Sequence, residues 1–422
     1  MNFETISVIG LGYIGLPTAA MFASRKKKVI GVDVNQKTVE TINRGEIHIV
    51  EPELDVIVRS AVKDGYLRAV TSPEPADAFL IAVPTPFKPN GSDIPEPDLG
   101  YIEKAAKVIA PVLKKGDLVI LESTSPVGAT EQMAEWLATE RPELSFPQQI
   151  SEGADISVAH CPERVLPGRV VHELVQNDRV IGGMSNRCSD RAIELYKTFV
   201  DGECVKTNHR TAEMTKLTEN SCRDVQIAFA NELSIICDEL GIDVWELISL
   251  SNRHPRINIL QPGPGVGGHC IAVDPWFIVN KTPDKARMIH TARLVNDAKP
   301  SWVIEKVKSA IFEVLQEQPD LSAKDVKVAC FGLAFKADID DLRESPSMAI
   351  ARKIASSHVG EVLAVEPNIV ELPNEEAFHL VNADQALSKA HVVVLLVDHS
   401  EFKKLAISKS LKLIDTKGIW KC

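Results

Sequence analysis

The sequence predicts an α/β protein of two Rossmann-like doubly wound domains, joined by a long central helix and a helical middle region. Three observations carry this. A glycine turn, Gly10-Leu11-Gly12-Tyr13-Ile14-Gly15, follows a β-rich run at 5–9 and precedes a helical stretch at 16–24. A second apolar run at 29–32 ends on Asp33, completing a strand, turn, helix, strand, acid unit. The last hundred residues repeat that logic, with short apolar runs at 326–331, 362–365, 392–397 and 413–415 alternating with helical stretches.

The remaining elements follow in order. Further strands are expected at 78–83, 118–122, 156–160 and 179–182. Segment 84–98 holds five prolines and reads as an irregular surface flap. No Gly or Pro lies between Thr211 and Leu240, and the apolar residues there fall at helical spacing. One long helix is therefore expected over 210–241, of the kind that often carries an oligomer interface. A Pro/Gly-rich loop at 252–275 and a second helical stretch at 284–315 come next. Ser345 and Pro346 read as the N-cap and first residue of a helix. The resulting division is a first α/β domain over 1–205, a helical middle over 206–315 and a second α/β domain over 316–422.

Composition narrows the function classes. Forty-seven Lys+Arg against 58 Asp+Glu give a net charge of −11, and no basic run exceeds Arg25-Lys26-Lys27-Lys28. Nucleic acid is thus not an expected partner. The apolar run 392–397 is far short of the ~20 residues that span a bilayer, so no membrane insertion is expected. Glu4 leads straight into a strand-like segment with no secretion signal, which predicts a cytoplasmic protein with reduced thiols. None of the eight cysteines stands in a C-x-x-C pair or at zinc-ligand spacing, so no metal site is expected.

Gly10, Gly12 and Gly15 make G-x-G-x-x-G, weak alone but strong between a strand and a helix with an acid 23 positions after Gly10. The turn lets backbone N–H groups approach a pyrophosphate at a helix N-terminus. Asp33 suits a ribose 2′-OH and repels a 2′-phosphate, which favours NAD over NADP. Thr85 and Thr124 end predicted strands, where ligands of open α/β sheets lie; each is equally readable as a turn residue. Glu213, Lys216, Asn220 and Arg223 share one face of the long helix, a pattern that is more often a solvated face. Cys270 follows Gly267-Gly268-His269, with Asp274 one turn on if the segment is helical. Lowering a thiol pKa from ~8.5 to ~7 takes about 2 kcal/mol. One ammonium at ~4 Å supplies up to about 4 kcal/mol at an effective dielectric near 20, and Lys216 is a candidate. An inert buried cysteine is the competing reading. Lys336 and Arg343 precede the capped helix, either as a cationic anion site or as a surface ion-pair cluster.

Taken together these motifs resemble the UDP-glucose/GDP-mannose dehydrogenase family over nearly the whole chain. The matching text is Gly10 to Gly15 with Asp33, Pro84-Thr85-Pro86, Ser123-Thr124-Ser125-Pro126-Val127-Gly128, Cys161-Pro162-Glu163-Arg164, Glu213 to Asn220, Gly267-Gly268-His269-Cys270 with Asp274, and Phe335-Lys336 with Arg343. The resemblance implies a four-electron oxidation of a nucleotide-sugar C6 alcohol to a carboxylate with two NAD+. Cys270 would be the nucleophile, giving a thiohemiacetal and then a thioester. Lys216 and Asn220 would stabilise oxyanion charge, Asp274 would take the alcohol proton, and Glu163, with Thr124 placing water, would serve hydrolysis. NAD would be held by Gly10, Gly12, Tyr13, Ile14, Gly15, Asp33, Thr85, Thr124 and Arg343. The UDP-sugar would be held by Arg164, Val165, Lys216, Asn220, Arg223, His254, Arg256, Gly267, Phe335 and Lys336. By the same resemblance Arg256 reaches a neighbouring subunit's site, which implies a homodimer or higher homo-oligomer.

Asn252 to Arg256 and the loop up to Cys270 look most like members acting on UDP-N-acetyl-D-mannosamine. Arg164 and Val273, where UDP-glucose members often carry an apolar residue and a lysine, argue against UDP-glucose. UDP-N-acetylglucosamine, UDP-glucose and GDP-mannose stay open as donors. A two-electron β-hydroxyacid dehydrogenase and a non-enzymatic NAD- and sugar-nucleotide-binding regulator are the alternatives from other classes.

Overall fold

The computed structural model describes residues 3–420, apart from Asn90, Ser92, Leu166, Pro167, His269, Arg343, Pro373 and Asn374. By contacts the chain divides into two compact units, Met1–Glu219 and Asn220–Cys422.

In the first unit the order is β1 (Thr5–Ile9), α1 (Gly15–Ser24), β2 (Lys28–Val32), α2 (Gln36–Asn43), α3 (Leu54–Lys63), β3 (Leu67–Val70), β4 (Ala78–Ile81), α4 (Gly100–Ile109), β5 (Leu118–Leu121), α5 (Ala129–Glu140), β6 (Ser157–His160), α6 (Val170–Gln176), β7 (Arg179–Gly183), α7 (Asn186–Tyr196) and β8 (Cys204–Asn208). The eight strands form one sheet in the order β3-β2-β1-β4-β5-β6-β7-β8. Successive residues of a strand enter separate cores on the two faces. Leu80 and Ile120 join α1, α3 and α6 on one face, while Phe79, Ile81, Val119 and Leu121 join α4 and α5 on the other. One pair departs from the expected parallel sheet, because β7 runs antiparallel to β6. The edge strand β8 has a polar, largely exposed sequence and gives no apolar run to read. The proline flap is a bent loop whose limbs meet at an isolated Phe87–Pro97 bridge.

The helix α8 (His209–Leu240) is continuous for 32 residues, as its unbroken helical pattern predicts. The second unit continues with α9 (Val244–Ser251), α10 (Asp274–Lys281), α11 (Arg287–Glu317), β9 (Val328–Phe331), α12 (Pro346–Ser357), β10 (Val362–Val365), β11 (His379–Leu380), α13 (Ala383–Lys389), β12 (Val392–Leu395) and β13 (Lys412–Asp415). Its sheet, β11-β10-β9-β12-β13, is parallel throughout. Val303, Val307 and Val314 of α11 pack on one face with α12, and Ala386 of α13 lies on the other. Ser345 caps α12 by accepting from the Met348 amide, with Pro346 at N1.

Within this unit α8 and α11 meet through buried polar groups. Arg293 donates to Asp224 (2.5 Å), and Asn296 donates to the same carboxylate (2.8 Å). Asn231 donates to Asn296 (2.9 Å). Lys299 is buried, donates to Ser234 Oγ (2.5 Å) and lies 3.7 Å from the Trp302 ring centroid. Burial pulls its ammonium pKa down to about 7. The unfolded chain therefore binds a proton that the folded chain lacks between about pH 7 and the ordinary lysine value near 10.4. Stability from this group rises with pH across that window. Urea midpoints at pH 7 and pH 9.5 are expected to show a rise attributable to Lys299, and Lys299→Met is expected to flatten it.

Candidate functional site

In the first unit the strand order reverses between β1 and β4, so the crevice lies beyond their carboxyl ends. The three turn glycines answer different demands. Gly10 has φ +90°, and a Cβ there would stand 2.6 Å from the Ala82 carbonyl oxygen. A Cβ on Gly15 would stand 1.8 Å from the Gly10 carbonyl oxygen. A Cβ on Gly12 meets nothing within 4 Å. Packing thus dictates the outer two, whereas Gly12 leaves backbone open at the start of α1, where a pyrophosphate needs close approach. Asp33 directly follows β2 and folds back on the turn: Leu11 N–H donates to Oδ2 (3.0 Å) and Asn35 N–H to Oδ1 (2.9 Å). Each oxygen keeps acceptor capacity for a ribose hydroxyl. Tyr13 is exposed and Ile14 half-buried beside the turn. After β4 and β5, Thr85 donates to the Thr124 carbonyl (2.6 Å), and Ser123 donates to the Val83 carbonyl (2.6 Å). These residues fit a dinucleotide. Arg343 lies outside the described residues.

Glu163 follows β6 and is buried in an ion pair with Arg179 (2.7 Å), while its other oxygen accepts the Arg164 amide (2.6 Å). The reversed strand explains the pairing. Because β7 is antiparallel, its first residue, Arg179, lies at the carboxyl end of β6. Arg179 also lies over the Tyr196 ring, and Tyr196 donates to Glu122 (2.5 Å). Burial, countered in part by Arg179, pushes the Glu122 carboxyl up to about 7. The Cys161 thiol is driven up to about 12, chiefly by burial, and is unsuited to nucleophilic work. Arg179, Glu122 and Tyr196 were missed from sequence; the one signal was an acid closing an apolar strand at 118–122.

Arg164 grips Glu219 through Nη2 (2.6 Å) and Nε (3.2 Å), and Val165 packs against the core. Glu213 is not on a solvated face. It is buried and caps α5, accepting from the amides of Gly128 (2.7 Å) and Thr130 (2.8 Å) and from the Thr130 hydroxyl (2.6 Å). Lys216, one turn further along α8, is half-buried.

In the second unit Cys270 is an exposed thiol. Its carbonyl accepts from the amides of Val273 (3.1 Å) and Asp274 (2.9 Å), so the segment is a helical turn running into α10. Asp274 is buried, and its carboxylate accepts from Asn220 Nδ2 (2.5 Å). The preceding loop is seated on the segment between β9 and α12: a Cβ on Gly267 would stand 3.2 Å from the Phe335 Cβ, and one on Gly268 would stand 3.6 Å from its ring. The structure thus brings Asn220, Cys270 and Asp274 together, and Gly267 with Phe335. Lys336, His254, Arg256 and Arg223 are exposed. A cation the sequence reading did not mark, Lys417, lies with Nζ 3.6 Å from the Cβ position of Gly263.

Three family models cover the chain: the NAD binding domain of the UDP-glucose/GDP-mannose dehydrogenase family at 4–200, its central domain at 210–298 and its UDP binding domain at 329–421. A UDP-N-acetyl-D-mannosamine dehydrogenase of Yersinia pestis is 68% identical, with all of both chains covered. An NDP-N-acetyl-D-galactosaminuronic acid dehydrogenase of Ralstonia nicotianae is 62% identical over 100% of this chain and 97% of that one. A solved UDP-D-ManNAc dehydrogenase from Pyrococcus horikoshii superposes with a TM-score of 0.86 at 37% identity, covering 99% of this chain and 96% of that one.

The glycine turn gives a direct test. Gly12→Ala should leave the melting temperature nearly unchanged yet weaken dinucleotide binding by about tenfold or more, read by calorimetric titration. Gly15→Ala should instead impair folding, seen as a lowered melting temperature or insoluble protein.

Proposed function

This chain belongs to the UDP-glucose/GDP-mannose dehydrogenase family and is an NAD-dependent nucleotide-sugar dehydrogenase, and on that premise we propose that it oxidises the C6 alcohol of UDP-N-acetyl-D-mannosamine to the carboxylate. The sugar is read from the 68% full-length identity to a protein named for it. The covalent route rests on one observation: an exposed cysteine one helical turn before a buried carboxylate that an asparagine side chain holds.

NAD+, when bound, accepts hydride, and the reaction needs two of them in succession. Asp274 takes the proton of the C6 hydroxyl, its position fixed by Asn220. The Cys270 sulfur then adds to the aldehyde carbon, and the resulting thiohemiacetal keeps a reactive intermediate on the protein. Loss of hydride from that adduct leaves a thioester, which water cleaves to the acid and the free thiol. Lys216 and Asn220 stabilise the developing oxyanions. Glu163 serves the hydrolytic water with Thr124, and its ion pair with Arg179 fixes the carboxylate's direction. On the substrate side we assign Arg164, Val165, Arg223, His254, Arg256, Gly267, Phe335 and Lys336. On the cofactor side we assign Gly10, Gly12, Tyr13, Ile14, Gly15, Asp33, Thr85 and Arg343.

We further propose the three-part division at 205 and 315, a cytoplasmic location and a homodimer or higher homo-oligomer. Phe229, Ile236 and Leu240 support the last, as exposed apolar residues on one stripe of α8. The product would serve a surface polysaccharide such as enterobacterial common antigen. No helix among the described residues is long and apolar enough to cross a membrane.

Purified protein offered UDP-linked N-acetylmannosamine, N-acetylglucosamine, N-acetylgalactosamine and glucose is expected to favour the first and to form two NADH per acid. Activity only with another donor would overturn the sugar, and one NADH per product would overturn the thioester. Cys270→Ala is expected to abolish acid formation while leaving the melting temperature close to wild type.

A further inference from the structure

Phe335 and Lys336 sit on the loop that follows β9, and the loop's shape is fixed from beneath. Glu366 directly follows β10 and is buried. Its Oε2 accepts the amides of Leu333 (2.7 Å) and Ala334 (3.0 Å), together with Nε2 of His399 (3.1 Å). Its Oε1 accepts the amide of Asn368 (3.2 Å). Burial raises the carboxyl pKa, but the bonds from His399 and the loop amides outweigh burial and hold it below its ordinary range. The grip is therefore that of a charged acceptor.

His399 is fully buried and extends the grip to the far side of the loop. Its Nδ1 accepts the amide of Asp338 (2.9 Å). A backbone N–H only donates, so Nδ1 is the bare nitrogen and Nε2 carries the proton that Glu366 receives. Asp338 itself has φ +60°, an unfavourable conformation for a non-glycine residue. Ser400 holds it there, donating to its carboxylate through the amide (2.8 Å) and the hydroxyl (2.6 Å). The backbone is thus pinned at 333, 334 and 338, on either side of Phe335 and Lys336. Neither Glu366 nor His399 has a part in the chemistry described above, and both stand beneath the loop.

We propose that the buried Glu366–His399 pair is a positioning device for nucleotide-sugar binding, ordering the loop so that Phe335 and Lys336 meet the substrate already arranged. It rests on the reading that these two residues hold the UDP-sugar. A pre-ordered loop spares the substrate the entropy of fixing it, so the effect belongs to sugar binding and not to hydride transfer or NAD binding.

The test is steady-state kinetics of the full chain with UDP-N-acetylmannosamine and NAD+, run beside hydrogen exchange of amides 333–338. His399→Leu should raise the KM for the sugar nucleotide about tenfold and speed exchange at 333, 334 and 338. The kcat and the KM for NAD+ should stay within about threefold of wild type. His399→Asn, whose side-chain oxygen can replace Nδ1 as acceptor, should recover part of the KM. An unchanged sugar KM, or a fall in kcat with both KM values unmoved, overturns the proposal. Lys336→Ala separates the two levels. If it leaves the sugar KM unchanged, the assignment of Lys336 fails and the proposal with it. If it raises that KM while His399→Leu does not, the positioning role alone fails. Should His399→Leu not fold, the exposed Ser400→Ala serves: a sugar KM raised about threefold supports the proposal, and an unchanged one overturns it.

Discussion

A carboxylate at the end of the second strand of each sheet, turned back onto the glycine turn that ends the first, sets the working edge of both units. Asp33 holds the amide of Leu11, and Glu366 holds the amides of Leu333 and Ala334. In both turns the first glycine has positive φ and donates to the last residue of the neighbouring strand, Gly10 to Val32 and Gly332 to Val365, each at 2.8 Å. The two uses then diverge. Asp33 is only half-buried and keeps acceptor capacity toward the crevice, whereas Glu366 is sealed under its loop by His399. One carboxylate keeps an open side, and the other is closed to become scaffold.

Buried charge is placed with similar economy. Glu163, Arg179, Glu122 and Tyr196 are drawn into one buried group, and Asp224, Arg293 and Asn296 into another. Such groups are weak sources of net stability, since desolvation offsets most of their attraction. They fix direction instead. Arg179 orients the Glu163 carboxylate, and the Asp224 layer settles how the C-terminal half of α8 meets α11.

Much of this was legible in the sequence. The glycine turns, the central strands and the long helix are each set by a local periodicity or by a conformation that glycine alone adopts readily. The four-residue spacing of Cys270 and Asp274 is legible, but the helical turn between them is not, because the glycines and prolines before it read as loop up to 275. The antiparallel β7 was not, because its apolar run reads the same in either direction and only its partner decides. Arg179 was lost with it. The edge strand β8 lacks apolar alternation, being exposed along most of its length. Glu213 looked solvated because its partners lie more than eighty residues away.

The all-parallel second sheet has a consequence for how the chain is made. Its central strand β9 pairs with β12, more than sixty residues later, and the edge strand β13 is the last to be synthesised. Each pairing must close a long loop before it is rewarded, which makes such sheets slow to form. All eight strands of the first unit are complete by Asn208, so that unit can assemble while the second is still being translated. The interval before β13 emerges leaves one side of β12 exposed as an unpaired apolar edge, and chaperones have most to shield there.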